Sequence, residues 1–119
     1  MFLKKKKIFE KFKKKIPIIC ITSYTTPIAK IADKYADIIL VGDSLAQVVL
    51  GYEDTLSITV DEMMHHVKAV TRAKPNCLVI ADMPYMSYHN TKEEAVKNAA
   101  RFIQEGKADA VKLEGGFKR

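Results

Sequence analysis

The chain contains no tryptophan and only two cysteines, Cys20 and Cys77, among its 119 residues. Both cysteines lie in short apolar runs, and neither has the spacing of a CxxC pair or a metal site. We therefore expect two small buried side chains in a reducing compartment rather than a disulfide. Long hydrophobic runs are also absent. No stretch approaches the roughly 18 apolar residues of a membrane span, and no signal-peptide core follows the lysine-rich start. These absences predict a cytoplasmic protein.

Acidic residues are scarce at the start of the chain. Residues 1–15 contain eight lysines and one glutamate, a charge of +7, which leaves −1 for the other 104 residues. Phe2, Phe9 and Phe12 recur there at loosely helical spacing, which predicts an amphipathic basic helix over residues 1–15. An arm that binds RNA or a membrane surface is one interpretation. However, the chain has only three arginines, the side chains that phosphate-binding surfaces favour, and so we expect no nucleic-acid or membrane partner.

Residues 16–119 alternate between strand-like and helix-like segments. Short apolar runs predict four strands, over residues 17–22, 37–41, 77–82 and 110–114. These runs are apolar throughout rather than alternating, as is typical of a parallel sheet covered by helices. A longer connection over residues 45–58 is expected to line a site.

Capping signals predict the helices between these strands. Thr26 is the expected N-cap of the first, with Pro27 at the first helical position. The expected buried stripe of this helix comprises Ile28, Ile31, Ala32 and Tyr35. Capping boxes predict two further helices, one starting at Thr59 with Glu62 and one starting at Thr91 with Glu94 and stopping at Gly106.

Three of the predicted strands lead into a carboxylate, namely Asp43, Asp82 and Glu114. Neighbouring parallel strands would bring these acids together at one edge of the sheet, which is where α/β enzymes place their chemistry. Three carboxylates there suit a divalent cation such as Mg²⁺. An acid that follows a strand also commonly caps the next turn or helix, and that interpretation stays open. Lys112 would be costly within a sheet unless it is paired, with Glu114 for example.

Four motifs in order resemble the ketopantoate hydroxymethyltransferase family. They occupy residues 41–44 (VGDS), 51–56 (GYEDTL), 81–85 (ADMPY) and 111–116 (VKLEGG). The resemblance extends from about the first strand to the last residue. It implies a (β/α)₈ TIM barrel of which residues 16–119 form a partial barrel of about four strands, truncated before the remaining strands and preceded by the basic helix.

The resemblance also implies a function and a site. Its reaction transfers a hydroxymethyl group from 5,10-methylenetetrahydrofolate to 3-methyl-2-oxobutanoate, giving 2-dehydropantoate in pantothenate biosynthesis. It implies that Asp43, Asp82 and Glu114 surround Mg²⁺, and that Asp43, Ser44, Asp82 and Lys112 contact the 2-oxo acid. In this mechanism the metal polarises the ketone and an enolate attacks the one-carbon unit.

The resemblance also implies a homo-oligomer, as full-length members of the family form. Their catalytic glutamate would lie past Arg119, so no catalytic residue is expected within this chain. Two alternatives to an active enzyme remain, an inactive half-barrel that needs a C-terminal partner and a binding module built on the basic helix.

Overall fold

The computed structural model describes residues 2–115, which form five helices and a four-stranded sheet. The helices are α1 (Phe2–Lys13), α2 (Thr26–Ala32), α3 (Leu45–Val48), α4 (Val60–Thr71) and α5 (Lys92–Gln104). The strands are β1 (Cys20–Thr22), β2 (Ile38–Val41), β3 (Leu78–Asp82) and β4 (Ala110–Lys112). All neighbouring strands are parallel, in the order β1-β2-β3-β4. The predicted α/β fold with a parallel sheet is confirmed. Within residues 2–115, no helix combines the length and the apolar character that crossing a membrane requires.

The two faces of the sheet differ in how well they are covered. Ile39 and Val41 of β2 are fully buried under the helices, together with Phe102 of α5, while Ile38 and Leu40 on the other face are only partly buried. Cys20 pairs in register with Ile38 and so shares this open face. It is exposed, and the prediction that Cys20 is buried was wrong, whereas Cys77 is buried as expected.

The first turn of α2 is shifted by one residue from the prediction. Thr25, not Thr26, is the N-cap, and its hydroxyl accepts a hydrogen bond from the amide of Ile28 at 3.4 Å. Thr26 is the first helical residue, and its hydroxyl donates to the carbonyl of Ala69 in α4. Proline needs no amide partner in the first turn of a helix, so Pro27 is compatible with either position.

The buried face of α2 also differs from the predicted stripe. Ala29 and Ala32 are buried, whereas Ile28 and Ile31 are 50% and 54% exposed and Tyr35 is 68% exposed. Helix α2 packs against α4, and the side chains that it buries are small, which allows two helices to approach closely. Of the four side chains expected to be buried here, only Ala32 is.

Most other element boundaries lie close to their predicted positions. The capping box at Thr59 and Glu62 is complete. At Thr91 the hydroxyl accepts a hydrogen bond from the amide of Glu94, which is the first bond of a capping box. The Glu94 carboxylate accepts a hydrogen bond from the Asn90 side chain. The strands are shorter than predicted, and β4 ends at Lys112 rather than Glu114. Helix α3, one turn long, lies in the stretch expected to be a connection.

The basic helix α1 lies at the edge of the sheet where the strands begin. Lys4 pairs with Asp109 at 3.0 Å and Lys11 pairs with Asp37 at 2.6 Å, and these aspartates precede β4 and β2. Helix α1 buries no side chain completely. Its attachment therefore depends on charge pairs as well as on partial apolar contact.

Candidate active site at the carboxyl ends of the strands

The predicted acidic residues meet at the opposite edge of the sheet. Asp82 is the last residue of β3, Asp43 lies two residues after β2, and Glu114 lies two residues after β4. Because β2, β3 and β4 are adjacent and parallel, all three follow strands that end at one edge. Lys112, the last residue of β4, pairs in register with Asp82. The topology thus places these four residues at or just after the carboxyl ends of neighbouring strands, as the sequence predicts.

Asp82 is the centre of this group. It is only 5% exposed, and its Oδ2 atom accepts the amide hydrogen of Asp43 at 2.9 Å. The Oδ1 atom lies 3.2 Å from Lys112 Nζ, an ion-pair distance, but no donor among the described residues forms a hydrogen bond with it. A buried carboxylate oxygen that lacks a hydrogen bond is costly, so the charge of Lys112 is what compensates the burial of this oxygen.

Lys112 lies between two carboxylates. Its Nζ atom is 2.9 Å from Glu114 Oε1 and 3.2 Å from Asp82 Oδ1. The hydrogen bond with Glu114 raises the pKa of Lys112, and the pairing with Asp82 adds to this, although partial burial opposes it. Lys112 is therefore a fixed positive charge at this edge, and the expectation that it needs a carboxylate partner is confirmed.

The environment of Asp43 disfavours its charge. Burial raises the pKa of the Asp43 carboxyl, and the neighbouring charges of Asp82 and Glu114 raise it further, while Lys112 lowers it. Like charges that are held together and partly removed from water are typical of sites that bind a cation or perform proton chemistry. Gly42 leaves room for this approach, because a Cβ atom there would lie 3.3 Å from Ser44 Oγ and 3.5 Å from Asp82 Oδ2.

These residues fit a magnesium ion in chemistry but do not form a complete binding set. Asp43, Asp82 and Glu114 provide the hard oxygen ligands that Mg²⁺ prefers, and Asp82 Oδ1 lacks a hydrogen bond. Among residues 2–115, however, no three histidine, cysteine or acidic side chains are arranged to hold a metal. The ammonium group of Lys112 lies between Asp82 and Glu114 instead. The metal assignment therefore stays a prediction.

Ser44 has a partner that sequence reasoning missed. The Tyr24 hydroxyl lies 3.0 Å from Ser44 Oγ, and His66 Nδ1 donates to the backbone carbonyl of Tyr24 at 2.9 Å. Ser44 is the N-cap of α3 but makes no side-chain capping bond, so its hydroxyl is available to Tyr24. Tyr24 follows β1 by two residues, and this position after a parallel strand was the signal that could have identified it.

Tyr88 is a second residue that the sequence did not single out. Its hydroxyl oxygen accepts the amide hydrogen of Glu114 at 3.1 Å, and its ring is almost completely buried. This bond joins the loop after β3 to the segment after β4. Tyr88 therefore helps to fix the backbone that carries Glu114.

A four-stranded parallel α/β sheet with acids and a lysine at the carboxyl ends of its strands defines the class of this chain, a partial (β/α)₈ barrel. A solved structure of 2,3-dimethylmalate lyase, a member of the PEP mutase/isocitrate lyase superfamily, supports this fold with a TM-score of 0.63 at 16% identity. The match covers 85% of this chain and 33% of the lyase chain.

Sequence comparison then identifies the family. The sequence model for ketopantoate hydroxymethyltransferase matches residues 3–119. The 3-methyl-2-oxobutanoate hydroxymethyltransferase of Koribacter versatilis is 55% identical over 113 residues, covering 94% of this chain and 38% of that protein. The enzyme of the same name from Geobacillus kaustophilus is 56% identical over 100 residues, covering 83% and 36%. The chain belongs to the ketopantoate hydroxymethyltransferase family, and it spans less than two-fifths of the length of these relatives.

Proposed function

We propose that this chain supplies the oxo-acid and metal half of a ketopantoate hydroxymethyltransferase site. The observation that supports this most directly is the buried Asp82 carboxylate, which lies between the Asp43 amide and the Lys112 ammonium at the carboxyl end of the sheet. The reaction would combine 3-methyl-2-oxobutanoate, 5,10-methylenetetrahydrofolate and water to give 2-dehydropantoate and tetrahydrofolate, a step of pantothenate biosynthesis.

The bond changes define what the site must do. The oxo acid loses the proton from the carbon next to its ketone, and that carbon forms a new bond to the methylene carbon of the folate. The bonds between the methylene carbon and the folate nitrogens break, and water supplies the hydroxyl group. Negative charge develops on the ketone oxygen when the proton leaves, so a fixed positive charge beside that oxygen lowers the barrier.

The residues of this chain provide that positive charge and the orientation of the substrate. Lys112, held by Asp82 and Glu114, would stabilise the carboxylate and the developing oxyanion of the oxo acid. Ser44, held by Tyr24, would donate or accept a hydrogen bond at the substrate. Asp43, Asp82 and Glu114 would hold Mg²⁺, directly or through water. When bound, the ion supplies Lewis-acid polarisation of the ketone.

The proton acceptor is assigned to no residue of this chain. Glu114 is engaged by Lys112 at 2.9 Å, which favours its role in binding over a role as a free base. We therefore propose that turnover requires the remaining barrel strands, whether they belong to the same polypeptide or to a partner. Those strands would also pair with the outer edges of β1 and β4 and cover the half-open face of the sheet.

The test is reconstitution. The purified chain is mixed with the part of the Geobacillus kaustophilus relative that lies beyond the matched region, and 2-dehydropantoate is measured with Mg²⁺ and both substrates. We expect no product from either part alone and product from the mixture, since general-base catalysis contributes about 10² to 10⁴ in rate. Asp82→Ala should abolish the product.

Asp61→Ala is the matched control, because Asp61 is an exposed aspartate on α4. It should leave product formation unchanged. A mixture that forms a stable complex but makes no product would overturn the proposal. Turnover by this chain alone, lost on Asp82→Ala, would show instead that the base lies within these residues.

A further inference from the structure

An aromatic stack borders the candidate site. In the loop between β3 and α5, the rings of Tyr88 and His89 are stacked, with centroids 4.3 Å apart and an interplanar angle of 30°. The His89 ring in turn contacts the Tyr85 ring, with centroids 5.0 Å apart. Tyr88 is 8% exposed and bonded to the Glu114 amide, while Tyr85 is 48% exposed. The stack therefore connects the backbone of Glu114 to a solvent-accessible aromatic face.

Hydrogen bonds hold this loop in place without a ligand. The carbonyl of Pro84 accepts from both the amide and the hydroxyl of Ser87, at 3.0 and 2.6 Å. The side chain of Asn98 in α5 donates to the carbonyl of Ser87 at 2.8 Å. Met86 adopts a φ of 68°, which is unfavourable for a residue with a side chain and persists only when its surroundings enforce it. The aromatic face is thus presented by a fixed loop.

The stack also includes a hydrogen-bond donor, the imidazole of His89. His89 Nδ1 accepts the amide hydrogen of Met86 at 3.0 Å, so the neutral ring has its proton on Nε2. An imidazole N–H beside an exposed tyrosine ring suits a planar heteroaromatic ligand. Such a ligand can stack on the tyrosine ring and accept a hydrogen bond from the imidazole at the edge of its own ring. An aliphatic oxo acid could accept the hydrogen bond but has no ring to stack on the tyrosine.

We infer that Tyr85 and His89 form the binding platform for the planar pterin ring of the folate co-substrate. This inference rests on the proposed function, in which the one-carbon donor must lie beside the oxo acid. Glu114 links the two subsites, because its amide donates to Tyr88 and its carboxylate contacts Lys112. A pterin on the stack would thus bind next to the residues that hold the oxo acid.

The test measures binding of two ligands separately by isothermal titration calorimetry of the full chain. Tetrahydrofolate is titrated alone, and 3-methyl-2-oxobutanoate is titrated with Mg²⁺. Tyr85→Ala should raise the Kd for tetrahydrofolate about tenfold, the size of one aromatic contact, and leave the Kd for the oxo acid unchanged. Tyr85→Phe should bind tetrahydrofolate like the unaltered chain. Tyr35→Ala, at an exposed tyrosine after α2, is the matched control.

The possible results distinguish a failure of the pterin platform from a failure of the proposed function. An unchanged tetrahydrofolate Kd in Tyr85→Ala, or no tetrahydrofolate binding by a chain that binds the oxo acid, would overturn the platform and leave the proposed function intact. Tetrahydrofolate binding that depends on Tyr85, without oxo-acid binding, would support the platform and count against the proposed function. As a second measurement, tetrahydrofolate should shift the ring proton resonances of Tyr85 and His89 in the unaltered chain, and unshifted resonances would refute the stacking.

Discussion

Replacing Gly106 with alanine tests how tightly α4 and α5 pack beneath the sheet. A Cβ atom at Gly106 would lie 2.7 Å from the Phe102 carbonyl oxygen, 2.9 Å from Val67 Cγ1 and 3.0 Å from Met64 Sδ. Comfortable contacts of this kind begin near 3.4 Å, so the backbone or the buried side chains must move by about half an ångström. Phe102 and Val67 are completely buried and have little space to give way.

The expected cost follows from two opposing effects. Overpacking a core by one methyl group costs about 1–3 kcal/mol. Replacing glycine by alanine at an ordinary backbone conformation stabilises the protein by about 0.4–1 kcal/mol, because it lowers the conformational entropy of the unfolded chain. Taking the middle of each range, about 2 kcal/mol less about 0.7 kcal/mol, the net loss in the free energy of unfolding is about 1.3 kcal/mol, or roughly tenfold in the ratio of folded to unfolded chains. Thr71 adds to the constraint, because its hydroxyl donates to the Gly106 carbonyl at 2.7 Å.

Urea unfolding followed by far-ultraviolet circular dichroism measures this change, since the chain has no tryptophan for fluorescence. Val67→Ala will itself cost stability, because Val67 is completely buried. In the Val67→Ala background, however, Gly106→Ala should cost less than it does in the unaltered chain, because one of the three close contacts is already removed. Gly51→Ala serves as a contrast, since a Cβ there meets nothing within 4 Å but φ is +76°. Its cost should arise from the backbone alone. If Gly106→Ala is as stable as the unaltered chain, the described packing is wrong.

Three further predictions concern single contacts. Iodoacetamide at pH 8 should label the exposed Cys20 well before the buried Cys77, because burial raises the pKa of Cys77 to about 12; equal labelling would contradict this. Thr59→Ala should cost about 1 kcal/mol by breaking the capping box, whereas Thr55→Ala in the preceding loop should be nearly neutral on urea unfolding. Lys11→Met should cost up to about 1 kcal/mol and less in high salt, with exposed Lys6→Met as the control that should change nothing.

The sequence predicted the order of the elements, apart from α3, and the location of the candidate site, because local patterns determine both. Apolar runs, capping residues and connections identified four parallel strands, and the parallel arrangement alone brings Asp43, Asp82, Lys112 and Glu114 to one edge. The capping box at Thr59 was predictable for the same reason, since its bonds join residues only three apart.

The wrong predictions and the missed residues concern features that tertiary packing determines. Periodicity indicates that one side of α2 is apolar, but it does not reveal that Ala29 is buried while Ile28 and Ile31 are about half exposed. Cys20 lies in an apolar run, yet its burial depends on what covers that face of the sheet. Tyr24 and Tyr88 are identified as parts of the site by hydrogen bonds to residues that are distant in the sequence.

The fold stabilises the charge of an aspartate at one edge of the sheet and disfavours it at the other. At the edge where strands begin, Asp37 accepts hydrogen bonds from the Ile19 amide at 2.9 Å and from Lys11 at 2.6 Å. These bonds lower the pKa of Asp37, so the folded state favours its charge. Its contribution to stability is complete above the pKa of an unfolded aspartate and is lost as the pH falls through the depressed folded pKa. At the other edge, burial and the Asp82 charge raise the pKa of Asp43, so folding works against that charge.

Matched substitutions should therefore change stability in opposite directions. At pH 7 without added metal, Asp37→Asn should lower the free energy of unfolding, because a neutral amide cannot replace the charged acceptor. Asp43→Asn should raise it, because it removes a partly buried charge beside Asp82. Urea unfolding of both variants beside the unaltered chain provides the measurement. An Asp43→Asn variant that is clearly less stable would mean that Asp43 has a structural role like that of Asp37. The expected gain would instead identify Asp43 as a residue retained at a cost in stability, which is typical of a binding or catalytic site.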